Sequence, residues 1–402
     1  MAVKRKSLAE RKKAMKTACD AINKLAGETL IGNLENEEIA EVLKVDFIPT
    51  VSPRLNAAFG GGWPRGKMSL ITGNSDSGKT ARLLEDMANG LKTDPDFLGV
   101  WIESENSLEE KSISMFGIDA ESVKDRFFFL NAGDKPGEEI LDYVIRMAHT
   151  GVDMIVINSL KCLTPSKEFK DSMADANVAL QARLNAKFMR VIIPTIATSG
   201  TALCIVQHLS TDIGGFSAYG EATTITGGKA IRYNNVLTVE FKKGNINASH
   251  PLHSARDQYM LIKAKVTKNH CVPTRNPYVA CEYIVKYGMG TDIITEVIEE
   301  AISKGIVSKT GAWIRDYEPG KPAEKGNERT LADGTTAAWN GLAKFTEYVL
   351  ANPDYFEDLK QRVVDDGMEV ESLSEEEIKE IEAQQLIEKN DIAALESMLD
   401  AE

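Results

Sequence analysis

Gly73-Asn74-Ser75-Asp76-Ser77-Gly78-Lys79-Thr80 meets the spacing G-x-x-x-x-G-K-[ST] at every position. Met68 to Thr72, just before it, is short and mostly apolar and reads as a strand; Ala81 to Ala88 reads as the start of a helix. A strand, a glycine-rich turn and a helix in that order gather backbone N–H groups and the positive end of a helix around one point. That arrangement suits a polyphosphate. Gly73 to Ala81 would line the cradle, with Lys79 a mobile charge for the outer phosphates. The Thr80 hydroxyl is placed to join the shell of a Mg2+ ion, so ATP and Mg2+ are the expected cofactors.

Outward from this loop, apolar strands alternate with longer helices. Phe97–Ile102, Phe127–Leu130, Met154–Ile157 and Ala202–Val206 read as buried strands, with helices over 138–149 and about 176–199 between them. The pattern predicts an α/β fold around a twisted, mostly parallel sheet. Segments near 235–242, 258–268 and 278–286 alternate apolar with polar residues and predict an antiparallel extension. Four regions result. Residues 1–45 form a basic N-terminal element whose apolar spacing, Met15 to Ala26, fits an amphipathic helix. Residues 46–290 form the core. Residues 291–365 form a small α/β domain with helices expected at 335–350 and 353–364. Residues 366–402 form an acidic tail with enough Ile and Leu for a transient helix.

Three strand ends beside the phosphate loop carry polar groups. Glu105 follows the Trp101-Ile102 strand, where a carboxylate orients and deprotonates an attacking water. Glu103 is expected to hold a lysine or a metal-bound water. Asn158 ends another strand and reaches Mg2+ through a water, without the charge an Asp would bring. Gln207 ends the next and opens a long polar, glycine-rich run to Gly228, which reads as a binding loop. That loop has few positive charges. Nucleic-acid contact would come from its backbone at Gly214, Gly215, Thr226, Gly227 and Gly228, and from insertion of Ile213, Phe216 or Tyr219 between bases. Arg183, Lys187, Lys229 and Arg232 would supply phosphate contacts.

The 402 residues carry a net charge of -13, are 43% hydrophobic and contain no run of 18 apolar residues, so no membrane partner is expected. The acidity is local. Fourteen acids face two lysines from Asp365 to Glu402, whereas residues 1–17 hold seven Lys or Arg against one Glu. Global acidity is therefore no argument against a DNA partner. Five scattered cysteines in no metal spacing, and no apolar leader at the N-terminus, fit a reducing, cytoplasmic compartment.

These residues resemble a RecA-type recombinase, in particular a divergent, phage-encoded member, which would place the chain in the host cytoplasm. The resemblance runs from about 15 to 365. It includes Gly61-Gly62-Trp63-Pro64-Arg65-Gly66-Lys67, Ile102-Glu103-Ser104-Glu105-Asn106, Asn158-Ser159-Leu160, Thr223 to Tyr233, Val266-Thr267-Lys268-Asn269-His270 and Gly311-Ala312-Trp313. It implies a RecA-like core and a helical filament on single-stranded DNA, with duplex DNA as second substrate and strand exchange as the activity. Glu105 would activate water, Gln207 would couple nucleotide to DNA, and Lys268 would reach the neighbouring subunit's ATP, which sits at the interface. Glu109 would take the exocyclic amine of the base. Residues 166–176 and 208–228 match the family's two DNA-binding loops, the helix at 15–27 would pack on the next subunit, and the tail would temper DNA binding. A mediator or single-strand-binding protein is a further partner of that reading. Three departures stand out: Asn158 for the usual Asp, His270 for a second interface lysine, and Ser112 for an aromatic that stacks on adenine. Asn158 keeps in view a nucleotide-gated single-stranded-DNA scaffold with little hydrolysis, and the shared core keeps a hexameric helicase as a second alternative.

Overall fold

A strand that is apolar on both faces is stable only inside a sheet covered on both sides. Met68–Gly73 (β1) is such a strand, with every residue buried in the computed structural model of the chain. The structure describes residues 6–170, 180–211, 223–225, 229–247, 253–272, 276–318, 320–321, 324, 326–367 and 371–389. Gly99–Glu103 (β2), Phe127–Asn131 (β3), Met154–Asn158 (β4) and Ala202–Thr211 (β5) run parallel to β1 in the spatial order β1-β5-β4-β2-β3. On its other side Leu237–Lys243 (β6) is also parallel. Tyr259–Asn269 (β7), Val279–Lys286 (β8) and Gly290–Thr291 (β9) then continue antiparallel. Leu237, Val239 and Phe241 are buried and Thr238 and Glu240 only partly so, the period-2 signature of a sheet with one dry face. The mostly parallel sheet with an antiparallel extension is as the sequence predicts.

Two cores flank the sheet. Trp63, Leu83, Leu84, Met87, Trp101 and Val156 pack on the side of the helix Lys79–Thr93. Leu70, Ile140, Val144, Phe188, Ile192 and Ile205 pack on the side of the helices Gly137–Ala148 and Leu180–Ser199. Successive β5 residues alternate between them: Ala202, Cys204 and Val206 in the first, Leu203 and Ile205 in the second. A third core, around Val297, Ile314, Trp339, Phe345 and Leu359, belongs to the C-terminal region.

Three segments depart from the sequence reading. Phe127–Leu130 is apolar but forms an edge strand, and Phe128 and Phe129 are 48% and 42% exposed. The helix expected over 335–350 begins only at Leu342: Ala338–Asn340 is a strand, and Gly341 turns the chain with a φ of 101°. Trp339 prefers the strand because there it meets the rings of Phe345, Tyr348 and Tyr355. The tail carries a short strand, Glu371–Ser372, before a helix at Glu375–Lys389.

Contacts divide the chain into two compact units, 1–46 and 47–402. In the first, Ser7 and Glu10 form a capping box at the start of the helix Leu8–Ala26 and Gly27 closes it in the left-handed region. None of its residues is buried, and Leu8, Met15 and Leu25 are exposed.

Within the second unit, Arg82 and Asp86, buried at the base of the phosphate-loop helix, form a pair. Arg82 donates to Asp86 at 2.7 Å and to Thr291 at 2.7 Å, and Asp86 also accepts from Trp63 and the Val51 N–H, each at 2.9 Å. The C-terminal region is tied on by Glu296, 3% exposed, whose carboxylate accepts from the Arg54 N–H at 2.7 Å and from Ser52 Oγ at 2.9 Å. Burial raises Glu296 to about 6 against the opposing pull of those bonds. An acid raised by folding binds its proton more tightly in the native state, so this contribution to stability falls as pH rises through the window from 4.5 to 6. We expect wild type to lose about 2 kcal/mol relative to Glu296→Gln between pH 4 and 7. Denaturant titrations across that range measure it, and parallel curves would contradict it.

Candidate active site

The phosphate loop leaves β1 and is pressed onto β6 and β7. A Cβ at Gly73 would lie 2.3 Å from the Phe241 carbonyl oxygen, and one at Gly78 would lie 2.5 Å from Ile262 Cδ1. Both glycines have positive φ, 144° and 85°, so no other residue type fits these turns. Asp76 also adopts a left-handed φ of 59°, and Asn74, Ser75 and Asp76 face solvent. No side chain caps the helix that starts at Lys79, so its first N–H groups point into the loop. Ala81 lies in that first turn.

Lys79 is 4% exposed, and its ammonium donates to the carbonyls of Gly73 at 3.0 Å and Asn74 at 2.6 Å. Burial lowers its pKa, and Glu105 and then Asp76 oppose the shift. A buried cation held only by neutral acceptors beside an uncapped helix end fits an anionic polyphosphate. Thr80 Oγ1 lies 3.5 Å from Asn158 Oδ1. Among the described residues no cluster of three or more His, Cys, Asp or Glu side chains could hold a metal, so Mg2+ would depend on Thr80, Asn158 through water, and the phosphates.

Glu103 differs from its expected role. It is 1% exposed, and its oxygens accept from Trp101 Nε1 at 3.1 Å, Asn158 Nδ2 at 2.9 Å, the Glu105 N–H at 3.0 Å and Ser107 at 3.3 Å. It holds the β2 and β4 ends together and has no hydrogen bond or ion pair to a lysine among those described. Ser104 completes the clip by donating to the Asn158 and Ser159 carbonyls, at 3.1 and 2.7 Å. Glu105 is thereby left partly exposed, and its Oε1 meets His208 Nε2 at 3.0 Å.

His208 is the residue that sequence reasoning missed. Gln207, chosen for this position, is fully buried and neither of its side-chain polar atoms has a partner among the described residues. The alternation along β5 explains the difference. Gln207 continues the Leu203–Ile205 face, away from the phosphate loop, and His208 continues the Cys204–Val206 face toward it. The signal was available: counting by twos from the apolar residues of β5 selects His208.

Glu109 is exposed, at the start of the short helix Glu110–Ser114. Lys268 donates to the Arg232 carbonyl at 2.9 Å, and partial burial followed by the Lys268 charge lowers the pKa of His270. Arg183 and Lys187 are exposed along one helix, as is Arg190 a turn further on, and the helix Lys229–Asn234 with Arg232 packs against it. Ile213, Gly214, Gly215, Phe216, Tyr219, Thr226, Gly227 and Gly228 lie outside the described residues. So does the second half of the first loop, after the helix Ser166–Lys170.

The family model described as the RecA N-terminal domain matches residues 13–292. Protein RecA of Aquifex pyrophilus is 28% identical over 360 residues, covering 89% of this chain and 92% of that relative. Protein RecA of Francisella tularensis subsp. novicida (strain U112) is 30% identical over 324 residues, covering 80% of this chain and 84% of the relative. With a RecA-like α/β core beneath a complete phosphate loop, the chain is a divergent member of the RecA family.

Proposed function

We propose that this chain is an ATP-dependent recombinase that assembles as a helical filament on single-stranded DNA and exchanges strands with a homologous duplex. The observation that carries the reading is the Glu105–His208 contact: a carboxylate beside the phosphate loop bonded to the root of the long loop that follows β5. Lys79 and the loop N–H groups hold the phosphates. Glu105 takes the proton of the attacking water, and His208 reports the state of that carboxylate to the loop. Thr80, and Asn158 through a water, would hold Mg2+, which would supply charge neutralisation of the phosphates. Asn158 brings no charge to that shell, so we expect hydrolysis to be slow. The first such test is phosphate release with and without single-stranded DNA. Glu105→Gln should lose at least about 100-fold in rate while still binding ATP and forming filaments by electron microscopy. Asn158→Asp should raise the rate or lower the Mg2+ requirement. Hydrolysis that single-stranded DNA does not raise above the Glu105→Gln background would favour the nucleotide-gated scaffold.

Two exposed apolar surfaces support the filament. The edge strand β3 shows Phe128 and Phe129, and the helix Leu8–Ala26 shows Leu8, Met15 and Leu25. A second copy that buries such surfaces gains hydrophobic contact that the isolated chain lacks. In that assembly Lys268 would leave the Arg232 carbonyl for the neighbour's phosphates. No helix among the described residues is long and apolar enough to cross a membrane. We place the protein in the cytoplasm, with DNA as its partner.

DNA contact is assigned to the loop after β5 together with Arg183, Lys187, Lys229 and Arg232. Deleting residues 210–222 should abolish single-stranded-DNA binding in anisotropy titrations and leave nucleotide binding in place; unchanged DNA affinity would remove the loop from the site. The coupling has its own test, the ratio of hydrolysis rates with and without DNA. His208→Ala should bring that ratio close to one, and Gln207→Leu should preserve it. Collapse of the ratio in Gln207→Leu alone would return the sensor role to Gln207.

A further inference from the structure

Glu103 and Asn158 stand at the same level of the sheet. They are register partners at the ends of β2 and β4, and both are buried, 1% and 0% exposed. Glu103 Oε2 takes two donors, Asn158 Nδ2 at 2.9 Å and Trp101 Nε1 at 3.1 Å. Its Oε1 takes the Glu105 N–H at 3.0 Å and both the N–H and the hydroxyl of Ser107 at 3.3 Å. Each of these partners acts as a donor.

That convergence fixes the Asn158 amide. Its nitrogen has to face Glu103, because a carboxylate that takes five donors has no hydrogen to offer an amide oxygen. The other end of the same amide, Oδ1, lies 3.5 Å from Thr80 Oγ1. A line of polar groups therefore runs from the Trp101 indole through Glu103 and Asn158 to the hydroxyl in the first turn of the phosphate-loop helix. Hydrogen bonds in series polarise one another, and a low local dielectric strengthens each of them. Donation to a carboxylate moves electron density toward the amide oxygen, so Oδ1 is a stronger acceptor here than in an isolated asparagine.

We propose that Glu103 is a positioning residue for the metal shell. Through Asn158 it turns the amide oxygen toward Thr80 and gives that oxygen part of the acidic character that an Asp at 158 would bring directly. The inference rests on the reading of Thr80 and Asn158 as the Mg2+ side of the site. It also divides the work of the two glutamates, Glu105 serving the attacking water and Glu103 supporting the metal from behind Asn158.

The test reads metal binding rather than turnover. With a non-hydrolysable ATP analogue bound, Mn2+ affinity by electron paramagnetic resonance should fall about tenfold in Glu103→Gln, the scale on which groups behind a ligand tune a metal. Binding of the analogue in EDTA should be unchanged, because Lys79 and the loop N–H groups are untouched. Glu103→Gln combined with Asn158→Asp moves the charge to 158 and keeps a donor facing an acceptor, so it should restore Mn2+ affinity to at least the wild-type level. Unchanged Mn2+ affinity in Glu103→Gln would overturn the relay. So would equal loss of both affinities, or failure of the double exchange to recover Mn2+ binding, since a purely structural clip gives those results.

Wild type supplies an independent reading should Glu103→Gln fail to fold. Adding Mg2+ to the analogue complex should shift the NMR signals of the Asn158 side-chain amide and of the Trp101 indole N–H. Their loss in Asn158→Asp and Trp101→Phe identifies them. Trp101 is fully buried and its indole bonds Glu103, so its response reports the carboxylate. A shift of Asn158 without one of Trp101 would overturn the relay and leave the Mg2+ reading standing. No shift at either would remove Asn158 from the metal shell, and the relay with it.

Discussion

The contact on which the site depends is the approach of the phosphate loop to the neighbouring strand. Gly73 sits so close to the Phe241 carbonyl that a single methyl group would overlap it, and Ser77 Oγ bounds the same space from within the loop. This packing keeps Lys79 out of solvent, and its ammonium must then find acceptors in the loop itself. Neutral carbonyls satisfy it geometrically while burial lowers its pKa. Exchange of those carbonyls for phosphate oxygens replaces neutral hydrogen bonds with charge-assisted ones, which are about twice as strong. The loop is thus preorganised by packing and incompletely compensated in charge, the combination that binds anions well.

The same helix that begins at Lys79 carries its consequences to the rest of the second unit. One turn below the loop, Arg82 and Asp86 are fully buried and joined to each other, to Trp63 and to Thr291. Breaking such a pair by removing one partner strands a charge, a loss of about 3 to 5 kcal/mol. Thr291 also donates to Glu85, its N–H to Oε1 and its hydroxyl to Oε2, each at 2.7 Å. Residues 290–296 lead directly into the C-terminal region, and Glu296 anchors it to Ser52 and Arg54. The phosphate-loop helix and the first C-terminal helix are therefore linked through polar contacts that have no room to slide.

Much of the fold was legible because its signals are local. The loop motif, the buried runs of β1, β2, β4 and β5, and the alternation of β6 each follow from residue type and spacing. Edge strands and tails are different, because their fate depends on partners far along the chain. Phe127-Phe128-Phe129-Leu130 has the composition of a core strand, yet nothing pairs with the outer edge of β3 among the described residues. Trp339 lies in a stretch that reads as helical, but three rings from later residues draw it into a strand. Glu371-Ser372-Leu373 has no strand signature at all; β8 supplies one by offering an open edge.

At the end of β5 the structure sets His208, and not Gln207, against Glu105. At the end of a strand, neighbouring side chains point to opposite faces, so a shift of one position changes which chemistry a residue can reach. Gln207 has both donor and acceptor groups, and its parity puts it on the face of Leu203 and Ile205. Its amide faces the second core, where neither polar atom finds a partner among the described residues, while His208 reaches Glu105. The end of the strand, not parity, separates the two glutamates. Glu103 is the last buried residue of β2 and is consumed by four donor residues, among them Asn158. Glu105, two positions further and beyond the strand, meets His208 and keeps partial exposure. An Asp at 158 would face the Glu103 carboxylate without a proton between them, whereas the Asn158 amide donates to it at 2.9 Å. The Asn158 amide therefore satisfies the buried Glu103 carboxylate, and Asn at this position is coherent with its surroundings.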